Sequence, residues 1–157
     1  MTRFFDKLAI AIGFLLAMTV SAFATDLSVT AANVVPGSDA VTVAGTAGAT
    51  VTAGQTVYLD ATTSTWKLCD SDASATASVC GGIALVGASA NQPIVVQTKG
   101  SITIGATVVN GTTYYSSTTA GGITATTPTT SAYPVIVGIA KSTTVLVLDF
   151  TRTGVII

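Results

Sequence analysis

The side chains that most often carry chemistry are scarce in this chain. There is no His and no Glu, and all seven acidic residues are Asp. A Ser-His-Asp relay therefore lacks its base, and a His-based metal site lacks its ligands. Acid–base work at neutral pH usually draws on His or Glu, so a protein without enzymatic activity is expected. Only Asp70 and Asp72 stand close together after the N-terminal segment. Asp70-Ser71-Asp72 resembles the opening of a calcium loop, but Ala75 stands where that loop needs Gly and Gly81 where it needs Glu. A structural turn is expected there instead. No Gly-rich phosphate-binding pattern follows a strand-like run. The expected catalytic, cofactor and metal residues are none.

Cys69 and Cys80 are the only cysteines. A disulfide between them would close a loop over residues 70–79, adding about 2–3 kcal/mol by restricting the unfolded chain. In a periplasmic or extracellular protein the pair is expected to bond. In a protein assembled in the cytosol the two would be small buried thiols. Asn110-Gly111-Thr112 fits the N-glycosylation pattern, but Asn-Gly is first a hairpin turn, because both residues tolerate positive φ. Trp66, Tyr58, Tyr114, Tyr115, Tyr133 and Phe150 are the large aromatics after residue 24. Tyr58 and Tyr115 are expected to be packing keystones in the core.

The elements that must position these residues follow from composition and pattern. Charged residues make up 8% of the chain and hydrophobic residues 49%, too apolar for a disordered segment. A formal charge of −1 supplies no basic surface to displace counterions, so no nucleic-acid partner is expected. Weak net charge also gives little repulsion between copies, which favours self-association. Val and Thr richness suits pleated strands. Short apolar runs alternate with Gly, Asn, Ser and Pro. Strands are expected at residues 27–30, 40–44, 49–52, 55–60, 65–68, 83–86, 94–98, 101–104, 113–116, 135–140 and 144–150. Residues 70–80 read as a loop or one short helix. No stretch of the body carries an apolar stripe of helical period and length.

Residues 1–24, MTRFFDKLAIAIGFLLAMTVSAFA, are organised as a secretory signal peptide. Arg3 and Lys7 precede an uncharged apolar run from Leu8 to Val20, and Ala22-Phe23-Ala24 supplies an A-x-A cleavage site. The run is shorter than the about 20 residues of a spanning helix. Membrane contact is expected only through this leader, if it stays uncleaved; a retained N-terminal arm is the alternative. Residues 25–157 then form a single domain.

That domain repeats itself. Gly48–Thr63 and Gly105–Ala120 match without gaps at Gly, Ala, Thr, Val, Gly, Thr, Tyr and Thr, and Gly82-Ile83-Ala84 returns as Gly138-Ile139-Ala140. Two pseudo-repeats, approximately 47–100 and 104–150, are expected to share one core, since neither buries its apolar face alone. The expected fold is all-β: a small barrel or sandwich of many short strands built from two pseudo-repeated halves, preceded by the hydrophobic leader.

Five stretches carry a family resemblance: LSVTAANVVPG at 27–37, AGATVTAGQTVYLDATTSTWKL at 47–68, GGIALVGASANQPIVVQTKG at 81–100, TIGATVVNGTTYYSSTTAGGI at 103–123 and VGIAKSTTVLVLD at 137–149. In order and spacing they resemble the capsid decoration, or head cement, proteins of tailed bacteriophages. Members of that family begin close to the DLSVT segment, which 25 residues precede here. The resemblance implies a virion structural protein that binds the outer surface of an icosahedral head. It implies the major capsid protein as partner, a homotrimer on the capsid surface, and no catalytic residues or cofactor. The leader and the cysteines support an alternative, a secreted, periplasmic or cell-surface β-barrel binding module.

Overall fold

Val, Ile and Thr are stiff at χ1 and pack well on a pleated surface, so the runs rich in them settle as strands. The computed structural model describes residues 25–128 and 132–152, and the leader lies outside them. The strands are β1 (Val34–Pro36), β2 (Val41–Thr46), β3 (Thr56–Asp60), β4 (Thr65–Leu68), β5 (Gly82–Ala84), β6 (Pro93–Ile104), β7 (Thr113–Ser116), β8 (Ile123–Thr124), β9 (Val135–Ala140) and β10 (Val145–Arg152). Among the described residues the only helical element is a 3-10 turn at Ala31–Asn33. The strands pair antiparallel in one sheet that curls into a half-barrel, with the order β4-β3-β5-β6-β10-β9-β7-β8. The all-β expectation is met.

The internal repeat is visible in the hydrogen-bonded register. Strand β3 pairs Thr56 with Ile83 and Val57 with Gly82. Strand β7 pairs the equivalent Thr113 with Ile139 and Tyr114 with Gly138. In the first hairpin Tyr58 faces Lys67 and Leu59 faces Trp66. In the second Tyr115 faces Thr124 and Ser116 faces Ile123. The turns match as well. Gly54 donates its N–H to Ala84 and Gly111 donates to Ala140, both at 2.8 Å. Gly54 and Gly111 have φ of +89° and +78°, a conformation that side chains rarely adopt.

Each repeat is a five-stranded unit, and β6 serves both. Its first part pairs with β2 and β5, completing the unit β2-β6-β5-β3-β4. Its last part pairs with β10 and opens the unit β6-β10-β9-β7-β8. Strand β2 leads into GATV at 48–51 as the end of β6 leads into GATV at 105–108. This double membership corrects the expectation of two strands separated at residues 99–100: β6 is continuous over 12 residues. Gly100 marks the place where a break was read. Two clamps hold the chain together there. Gln97 Nε2 donates to the carbonyls of Lys99 at 3.1 Å and Ser101 at 2.9 Å. The Asp39 carboxylate accepts from the Ser101 N–H at 2.9 Å and its hydroxyl at 3.1 Å.

Two other expected strands do not form. Residues 27–30 give single bonds, Leu27 N–H to Ile123 and Thr30 N–H to Gly105, without a ladder. Residues 49–52 contribute only the Val51–Ala88 bridge. Each stretch ends in a local turn instead, the Thr30 carbonyl accepting from the Asn33 N–H and the Thr52 carbonyl from the Gln55 N–H. Strands β1 and β8, of three and two residues, went unread because they are too short to show alternation.

The curl brings the two units together along a seam. Thr56 donates its N–H to Gly121 at 3.0 Å, Gly121 donates to Cys69 at 2.6 Å, Ser71 donates to Ser117 at 3.0 Å and Tyr133 donates to Ser71 at 2.7 Å. The main core draws on both units, with Ile83 and Ala53 from the first packed with Ile102, Tyr114, Val137 and Leu146. A second cluster, Val51, Val57, Trp66, Ala84, Ile94 and Val96, fills the first unit.

Candidate functional site

Cys69 and Cys80 form a disulfide, with their Cα atoms 5.4 Å apart. Both are buried and pack against Val135 and Phe150 of the second unit. The loop they close is a run of turns. The Asp72 N–H donates to Asp70 Oδ1 at 3.2 Å, the Ala77 N–H donates to Ser74 Oγ at 3.0 Å, and Ser78 Oγ donates to the Ala75 carbonyl at 3.0 Å. Burial, and then the neighbouring Asp72, raise the Asp70 carboxyl above its ordinary value. A shared hydrogen-bonded pair of this kind is a turn device. Among the described residues no three His, Cys, Asp or Glu side chains gather as a metal site would require.

The aromatic residues divide between core and rim. Trp66, Tyr58 and Tyr114 are buried, Tyr114 to 2% exposure. Tyr115 is only half-buried, which corrects its expected role as a keystone. Tyr114 takes the inward place that Val57 holds in the first unit, and Tyr115 shares the opposite face with Tyr58. The pairing with β9 is bulged between Tyr114 and Tyr115, and Tyr115 is less covered than Tyr58. The Val109 N–H donates to the Tyr114 hydroxyl oxygen at 3.0 Å, fixing the ring's polar end. Asn110 sits exposed at the tip of the β6–β7 connection, consistent with its turn role.

The surface property that sequence reading missed is a row of uncharged side chains on the outer face, flanked by the exposed charges of Lys99, Lys141 and Asp149. On β9 and β10, Ile139 faces Val147 directly, and they are 50% and 38% exposed. Val147 faces Ser101, Val145 faces Thr103, and Thr103 faces the exposed Val35. This row of Val, Ile, Thr and Ser spans β1, β6, β10 and β9. Strand β2 adds exposed Val41 and Val43, and every residue of it except Gly45 is exposed. The signal was present in the sequence: a strand with a solvated outer face alternates apolar with strongly polar residues, whereas β10 opens with Val145-Leu146-Val147-Leu148, apolar at both phases.

Ser101, Thr103 and Val145 of this row also line an open groove together with Asp39 and Lys141. The Ser101 N–H bond, aided by the Lys141 charge, holds the Asp39 carboxyl below its ordinary value. A second groove is lined by Ser28, Thr30, Asn33, Thr103, Thr107 and Thr144 and carries no charged side chain. No family model matches the chain, and no curated protein matches it. Among the described residues no helix is long and apolar enough to cross a membrane. What the arrangement offers chemically is a shaped, stapled β surface that presents methyl and hydroxyl groups.

Proposed function

We propose that this chain is a virion structural protein that decorates and stabilises a bacteriophage capsid by binding the outer surface of the head. The observation that carries the reading is the row of uncharged side chains on the outer face, from Val35 through Thr103 and Val145 to Val147 and Ile139. Exposed apolar residues in a contiguous row mark a contact surface more often than a solvated one. The resemblance to head cement proteins supplies the partner, the major capsid protein, and the arrangement, a homotrimer on the capsid surface. The contacts are made by shape and burial, with no reaction to catalyse and no nucleic acid to hold.

Binding to purified heads tests it. Wild-type protein should co-sediment with capsids, and an Ile139→Asp/Val147→Asp variant with unchanged circular dichroism should lose that binding. Absence of the protein from isolated particles by mass spectrometry would refute the virion reading.

A second reading rests on the Cys69–Cys80 disulfide together with the leader: a secreted, periplasmic or cell-surface β-barrel binding module. Disulfides persist in oxidising compartments. N-terminal sequencing after expression of the full chain separates the two, because an exported module should begin after Ala24.

A further inference from the structure

We propose that the Cys69–Cys80 disulfide is a redox latch on the seam between the two five-stranded units: reducing it frees the seam while each unit keeps its sheet. This does not rest on the virion reading. The cysteines bracket the β4–β5 connection, and the backbone of that connection makes most of the seam. The Cys69 carbonyl accepts from Gly121 at 2.6 Å, the Ser71 N–H donates to Ser117 at 3.0 Å, and the Ser71 carbonyl accepts from Tyr133 at 2.7 Å. The disulfide itself lies across the same junction, packed on Val135 and Phe150.

The loop it closes has turn hydrogen bonds but few apolar side chains to anchor it. Residues 72–76 are all exposed, and the stretch DSDASATASV supplies one branched apolar side chain, Val79. Without the cross-link, the regained freedom of this loop opposes the seam bonds directly. The corresponding β8–β9 connection in the second unit, residues 125–134, contains no cysteine. The latch is therefore specific to this junction. The β6–β10 ladder, from Thr103–Val145 to Gly100–Leu148, involves neither the loop nor the seam.

The chemistry is thiol–disulfide exchange with a dithiol. One thiolate of the reductant attacks a cysteine sulfur, the S–S bond breaks, and a mixed disulfide forms. The second thiol of the reductant displaces the remaining cysteine. Two electrons and two protons pass from the dithiol to the protein, leaving two protein thiols and a cyclic disulfide. Cys69 and Cys80 are only 1% and 5% exposed, so attack requires the loop to open first.

Amide hydrogen exchange on the full chain, with thiols counted by alkylation and mass, tests the latch. After reduction by dithiothreitol, the amides of Ser71, Gly121 and Tyr133 should exchange on the order of 10–100-fold faster. The amides of Ala84, Ile104 and Gly111, bonded within the units, should change little. A Cys69→Ala/Cys80→Ala variant should match the reduced wild type and ignore dithiothreitol. If that variant does not fold, reduced wild type alone decides. Equal acceleration at seam and reference amides, loss of all structure on reduction, no acceleration at the seam, or two free thiols in protein prepared under air would each overturn the proposal.

Discussion

Gly45 on β2 lies against the indole of Trp66 on β4: a Cβ at Gly45 would stand 2.7 Å from both Cδ1 and Nε1 of the ring. Real carbon atoms do not approach so closely, so Gly45→Ala must push the indole out of its site. Overpacking of this kind costs about 1–3 kcal/mol. Trp66 is the only tryptophan in the chain and is buried, so its fluorescence reports the event without a label. Gly45→Ala should shift emission to longer wavelength and lower the urea midpoint. Unchanged emission would mean that β2 moves instead of the ring.

The paired turn glycines predict unequal costs. Gly54→Ala and Gly111→Ala both force a side chain into the left-handed region, costing roughly 1–2 kcal/mol. At Gly111 an added Cβ meets nothing within 4 Å, so the loss should stop there. At Gly54 it would meet the Val29 side chain and stand 3.1 Å from Val34. Crowding should add about 1–3 kcal/mol, making Gly54→Ala clearly the worse variant in equilibrium unfolding.

Adjacent tyrosines should behave differently. Tyr114→Ala empties a fully buried site and should cost about 3–5 kcal/mol. Tyr115→Ala, on the half-buried face, should cost less than half as much. Tyr114→Phe removes only the acceptor for the Val109 N–H, and Val109 is exposed enough for water to replace it. A loss of about 1 kcal/mol or less is expected. Chemical denaturation of the three variants checks the ranking.

Acid stability should depend on the Asp60–Lys67 pair across the β3–β4 hairpin. The Lys67 hydrogen bond, and then the Thr62 N–H, hold the Asp60 carboxyl down from its ordinary 3.8 to about 2. A depressed carboxylate contributes stability that is present above its unfolded value and lost as pH falls toward the folded one. The urea midpoint should therefore fall between about pH 4 and pH 2. Lys67→Met should flatten that slope without abolishing it, because Asp39, also depressed, titrates in the same direction. The pair is partly solvated, so the change should be modest. An unchanged slope would remove Asp60 from the account.

Much of the fold could be read from the chain because its local signals agree. Asn110-Gly111 and the echo of GIA at 82 and 138 marked the repeat, and the same residues carry the matched registers. Strands at 65–68, 113–116 and 135–140 fall where β-branched and aromatic runs placed them. The continuity of β6 was hidden because Lys99-Gly100 looks like a turn, and the groups that suppress it include Asp39, far away in sequence. Tyr115 aligns with Tyr58 and shares its face, yet Tyr58 is buried and Tyr115 only half-buried. Alignment along the chain does not fix what packs over a side chain. The outer face was the least legible feature, since it arises only when β1, β6, β10 and β9 are set side by side.

Because β6 is the last strand of one unit and the first of the next, it fixes the phase between two cores. Ile94 and Val96 point into the first unit's cluster, and Ile102 and Ile104 into the main core. Between Val96 and Ile102 the alternation is already interrupted by a bulge opposite Val41 and Thr42 and by Gly100 at a φ of +87°, so one residue added or lost there would change the phase that this bulge sets between the two units. The count of residues in that short interval therefore sets how the two cores face one another. Here two similar modules share a common wall, and neither can be cut away and remain whole.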